Sequence, residues 1–182
     1  MLTALGERLA HAGEQTQLVV IGGSALTILG LVRRATRDVD VVALLDHGSL
    51  RPAEPLPPAL AEARDTVAAD FGLSTEWLNT GPADLLRLGL PEGFLERLET
   101  RRFGSALTVH LASRYDQIHF KLYALVDQGL GRHEEDLRIL APTREELVAA
   151  ARWSRSHDPS PGFRRELEAV LRYLGVEDAE LD

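Results

Sequence analysis

The chain has 182 residues, no cysteine and a formal net charge of −8. A chain of this length buries about 70% of its unfolded surface, so it needs no staple, and without cysteine neither a disulfide framework nor a thiolate metal site can form. The acid excess argues against extensive, non-specific binding to nucleic-acid backbones, which rests on Lys and Arg.

No apolar run approaches the ~18 residues of a membrane-spanning helix. The first residues, MLTALGERLAHAG, lack the basic and apolar regions of a signal peptide. The expectation is a soluble, cytoplasmic protein with no membrane partner. Lysine is nearly absent, so arginine carries the positive charge. It clusters at Arg33, Arg34 and Arg37, at Arg97, Arg101 and Arg102, and at Arg152, Arg155, Arg164 and Arg165. An acidic protein can still carry a local basic groove of this kind.

In chain order, Leu2, Leu5 and Leu9 have helical spacing, and that helix ends at Gly13. Gln17 to Ile21 reads as a buried strand stopped by Gly22 and Gly23. SALTILGLV reads as a short helix and Asp38 to Leu45 as a second strand. The proline-rich stretch Arg51 to Pro58 reads as a loop. A helix follows with Ala59, Ala63, Val67 and Phe71 on one stripe, ending at Gly72. LSTEWLN alternates as a third strand. TGPADLLRLG is a turn into a short helix, and Ala106 to Ala112 is a fourth strand.

From Arg114 the pattern is wholly helical. One helix carries Ile118, Leu122 and Leu125 and ends at Gly129. A short one is stopped by Pro142. A third opens with the capping box Thr143 and Glu146, and a last amphipathic helix closes at Gly175. The class this implies is α+β: a core over residues 1–112, with a small mixed sheet flanked by helices, and a C-terminal helical part over 113–182. The two parts form either separate domains or one.

Two features carry chemistry. Asp38 and Asp40 stand two apart at the head of a strand, so they share a face while Val39 and Val41 take the other. Like charges this close need a cation, and Mg²⁺ suits one or two carboxylates plus substrate phosphates. The second feature is Gly22-Gly23-Ser24 between strand and helix, where the backbone can approach a phosphate. Taken alone, the acid pair could be a half-exposed strand end and Ser24 an ordinary helix cap.

Together, Gly-Gly-Ser after one strand and D-x-D on the next resemble the DNA polymerase β nucleotidyltransferase superfamily. The longer pattern of Arg34, Thr36, Asp38 and Asp40 is similar to the minimal nucleotidyltransferases, including the AbiE and MenT-type toxins of bacterial toxin–antitoxin systems. The segments EWLN, LPEGFLERL, KLYAL and HEEDL extend the likeness. The resemblance implies Mg²⁺- or Mn²⁺-dependent transfer of a nucleoside monophosphate from an NTP. The acceptor would be a tRNA 3′ end or a protein hydroxyl, and a cognate antitoxin would be a partner.

By the same resemblance, Asp38 and Asp40 would hold metal, with Glu76 in LSTEWLN as the third, catalytic acid. Asp84 and Glu92 are poorer candidates. Gly22, Gly23 and Ser24 would seat phosphates, and Arg34 and Thr36 would shape the approach or touch phosphate. Lys121 and Asp136 would lie near the nucleotide. His110 and His119 read as structural, His133 as a cap neighbour or surface residue, and Trp77 and Trp153 as core. Two other readings stay open: a non-catalytic nucleotide- or partner-binding module derived from a transferase, and a transferase acting on a small antibiotic-type molecule.

Overall fold

The computed structural model describes residues 1–181. The chain folds as two compact units. The first comprises Met1–Leu90 with Phe94–Ala112, and the second Pro91–Gly93 with Ser113 onward.

The first unit is a mixed sheet with helices. Its elements are α1 (Leu2–His11), β1 (Thr16–Ile21), α2 (Gly22–Ile28), β2 (Val39–Asp46), β3 (Ser49–Arg51), α3 (Pro58–Phe71), β4 (Leu78–Asn79), α4 (Asp84–Leu88), β5 (Glu99–Phe103) and β6 (Leu107–Leu111). The sheet runs β3-β2-β1-β6-β5, with β4 beside β2. β1 pairs antiparallel with β2 and parallel with β6. β2 pairs antiparallel with β3 through Leu44–Asp46 and parallel with β4 through Val39 and Asp40.

The core follows from the alternation. Leu18, Val20, Val39, Val41, Leu107, Val109 and Leu111 point to one face, where Leu5 and Leu9 of α1 and Leu60, Ala63 and Val67 of α3 cover them. A bulge between Val19 and Val20 shifts the register against β2. It keeps Leu18 opposite Leu44 and Val20 opposite Val41, so the apolar set stays on the core side. Asp40 takes the other face.

Two expectations change here. The stretch Leu73 to Asn79 is not one strand. Ser74 accepts from the Glu76 N–H (3.2 Å) and its carbonyl from the Trp77 N–H (3.1 Å), which winds Thr75–Trp77 into a 3₁₀ turn. Trp77 and Leu78 are both buried although adjacent, and only Leu78 and Asn79 pair as β4. Helix α2 starts at Gly22, so Ser24 is its third residue and Ile21 its N-cap. The sequence pattern also passes over β3 and the polar edge strand β5.

The second unit is helical: α5 (Arg114–Gln128), α6 (Arg132–Leu140), α7 (Arg144–His157) and α8 (Pro161–Tyr173). Ser113 caps α5 by accepting from the Asp116 N–H. Thr143 and Glu146 form the reciprocal capping box of α7. Arg114 ties these caps together, donating to both Glu146 carboxylate oxygens (2.6 and 3.1 Å) and to the Leu140 carbonyl. Arg114 holds the Glu146 pKa below the usual carboxylate value. Ile118, Leu122 and Leu125 are buried as one stripe.

Candidate active site

The site begins where β1 runs out. Gly22 turns the chain with φ +74°, a conformation that a residue with a Cβ adopts at a cost. Its register neighbourhood explains a second demand for glycine. Ile21 pairs with Asp40, and a Cβ built on Gly22 would lie inside 3.0 Å of Asp40 Oδ2, closer than real Cβ atoms come. The Asp40 carboxylate therefore rests against the glycine turn.

The loop after α2 folds back onto the same turn. The Thr27 hydroxyl lies 2.9 Å from the Gly23 carbonyl and 3.1 Å from the Arg34 carbonyl, pinning the loop to the helix. A Cβ on Gly23 would meet Thr36 Oγ1 at 3.3 Å and the Arg34 guanidinium at 3.5 Å. Thr36 donates to the Asp38 carbonyl at 3.2 Å, setting the entry to β2. Asp38 is exposed just ahead of that strand, and Asp40 is half-buried within it. Ser24 is 2% exposed, and its Oγ has no hydrogen-bond partner. That hydroxyl is not a cap: it is a buried polar group left unsatisfied beside the turn.

The structure thus brings Gly22, Gly23, Ser24, Arg34, Thr36 and Asp40 to one place, with Asp38 at the strand entrance. It does not bring Glu76 there. Glu76 is exposed on the 3₁₀ turn, and among the described residues no three His, Cys, Asp or Glu side chains are grouped to hold a metal ion. The neighbour of Asp40 on β4 is Asn79, which donates from Nδ2 to Asp40 Oδ1 at 3.1 Å. Sequence reasoning missed Asn79 because it assumed a longer strand. The run Asn79-Thr80-Gly81-Pro82, a turn following two buried apolar residues, was the signal available. Asp84 is exposed and ion-paired with Arg87 (2.5 Å).

Lys121 and Asp136 belong to the second unit and pair with each other. Lys121 Nζ lies 2.7 Å from Asp136 Oδ2, with side-chain exposures of 6% and 0%. Lys121 is the sole lysine in the sequence. His110 and His119 behave as structural groups. His110 spans three strands, with Nε2 2.8 Å from Gln17 Oε1 and Nδ1 3.0 Å from Thr100 Oγ1. The acceptor Gln17 Oε1 selects the tautomer with hydrogen on Nε2, and desolvation lowers the ring's pKa. His119 faces the Tyr115 carbonyl at 2.9 Å and stacks edge-on against Trp153. Trp77 is core, with its indole N–H on the Arg64 carbonyl (3.1 Å).

A mixed sheet with a glycine turn after its first strand, facing an acid on the second, is consistent with a nucleotidyltransferase core. The chain belongs to the family of nucleotidyltransferases of unknown function designated DUF6036, whose pattern matches residues 1–132. That match takes in the turn, the acid pair and Lys121, and stops before Asp136. No curated protein and no solved structure matches the chain.

Proposed function

We propose that this protein is a metal-dependent transferase that moves a nucleoside monophosphate from an NTP to an acceptor hydroxyl. The observation that carries the reading is the packing of Asp40 against the Gly22 turn. It sets an acid that attracts a cation beside backbone that can approach phosphate.

The donors at the head of the second strand fit a divalent metal by their chemistry. Two carboxylates suit a hard divalent ion that completes its shell with water and substrate phosphate. Bound there, Mg²⁺ or Mn²⁺ would neutralise charge developing on the transferred phosphoryl group. Asp38 and Asp40 would hold it. The Gly22–Ser24 turn, the Arg34 guanidinium and the orphaned Ser24 hydroxyl supply donors for the triphosphate. These groups orient the α-phosphorus toward the acceptor. The acceptor oxygen then bonds to that phosphorus, the bond to the β-phosphate oxygen breaks, pyrophosphate leaves, and the hydroxyl proton passes to solvent. Positioning of this kind is most of what phosphoryl-type transfer asks of a protein.

For the acceptor, a net charge of −8 favours a short RNA end, such as a tRNA 3′ terminus, or a protein hydroxyl over a long RNA. Either suits a toxin-like component with a cognate antitoxin. A second reading, a nucleotide-binding module without transfer, draws support from the lack of a third acid among the described residues. Pyrophosphate release separates the two. With Mg²⁺, each NTP in turn and a total tRNA or lysate pool, the wild type releases pyrophosphate and Asp38→Ala and Asp40→Ala do not. Nucleotide binding without any release would establish the second reading.

A further inference from the structure

We infer that Asn79 is the positioning residue of the acid pair, and that its being an amide makes metal binding at that pair depend on nucleotide. The inference rests on the transferase reading above and deepens it. Asn79 lies in register with Asp40 on the parallel strand β4. Its orientation is determined from both ends of the amide. The Gly81 N–H donates to Asn79 Oδ1 at 2.9 Å, so Nδ2 faces Asp40 Oδ1 at 3.1 Å. Asp40 is thereby held from two sides: Oδ1 by this amide, Oδ2 by contact with the Gly22 turn.

Charge gives the consequence. The carboxylates at the strand head are Asp38 and Asp40, and the nearest polar neighbour of Asp40 on the next strand is neutral. Two carboxylates attract a dication only moderately in half-exposed surroundings, because water competes and screens. The triphosphate adds the missing negative charge and oxygen ligands. Metal and nucleotide therefore arrive together, and without nucleotide the acid pair does not trap divalent ions. A carboxylate at position 79 would remove that dependence.

The test uses Mn²⁺ with the full chain, following the free-ion electron paramagnetic resonance signal. Without nucleotide the wild type binds Mn²⁺ weakly, and affinity rises when an NTP is added. Asn79→Asp, close to isosteric, binds Mn²⁺ alone about tenfold or more tightly than the wild type, from one added charge beside the ion. It also melts at a lower temperature in EDTA and regains the loss with Mn²⁺. Asn79→Ala weakens Mn²⁺–NTP binding while keeping the wild-type circular dichroism. A purely structural asparagine produces no gain in metal affinity. Asn79→Asp within twofold of the wild type, in a protein whose Mn²⁺–NTP binding is lost in Asp40→Asn, overturns this inference alone. Mn²⁺–NTP binding that survives Asp40→Asn overturns the transferase reading and this inference with it.

Discussion

Gly22 offers a prediction in which two costs can be separated. Gly22→Ala forces a Cβ into the left-handed region at φ +74° and against Asp40 Oδ2. Gly30→Ala forces the same dihedral, φ +73°, with nothing within 4 Å of the new Cβ. The dihedral costs about 1–2 kcal/mol, offset by about 0.4–1 kcal/mol from the stiffer unfolded chain. That part is common to both variants. Gly22→Ala must also move the Asp40 carboxylate, which breaks its hydrogen bond to Asn79, worth about 0.5–1.5 kcal/mol. It also drives the side chain off its rotamer at a similar cost of about 0.5–1.5 kcal/mol. Gly22→Ala is therefore less stable than Gly30→Ala by about 1–3 kcal/mol, the sum of those two terms. Each unit holds one tryptophan, Trp77 in the first and Trp153 in the second. Urea unfolding followed by Trp77 emission in a Trp153→Phe background thus reads the first unit. Two variants within about 0.5 kcal/mol of each other, below either single term, would refute the contact between Gly22 and Asp40 as an energetic constraint.

In the second unit, Lys121→Met strips a buried ion pair from Asp136 and costs about 3–5 kcal/mol, read from urea unfolding by Trp153 emission. The double variant Lys121→Met/Asp136→Leu recovers most of it; a single variant as stable as the wild type would show the pair to be idle. Acidification should also destabilise the fold through histidine. Desolvation lowers the pKa of His110 and of His157 from 6.5. Their contribution is therefore whole above pH 6.5 and is lost as the pH falls from there toward the lowered value. Urea midpoints at about pH 7.5 and about pH 5.5 should differ less in His110→Gln than in the wild type. An equal difference would remove His110 from the account.

What could be read in the sequence was local. The caps of the second unit were legible because Thr143 with Glu146, and Gly129 after α5, act through neighbours three or four residues away. The glycine turn and the acid pair were legible because each lies within a few residues. What escaped depends on groups meeting from afar. The 3₁₀ turn at Thr75–Trp77 defeats an alternating pattern because the Ser74 hydroxyl offers the backbone a closer partner than a strand does. β5 is polar, with four of its five residues exposed, so it carries no apolar period; sheet pairing alone makes it a strand. Asn79 beside Asp40 comes from strand pairing across 39 positions. The Lys121–Asp136 pair joins two helices. Glu76 reads as the third acid only on an alternation that the 3₁₀ turn abolishes.

Whether the nucleotidyl group is the group transferred is decided by the position of the label. The protein is incubated with Mg²⁺, a tRNA and protein pool, and each NTP carrying label on either the α- or the γ-phosphate. The α-label appears on a macromolecule, the γ-label is released only as pyrophosphate, and Asp40→Ala shows neither outcome. Transfer of γ-label, or α-label transfer that persists in Asp40→Ala, would contradict it.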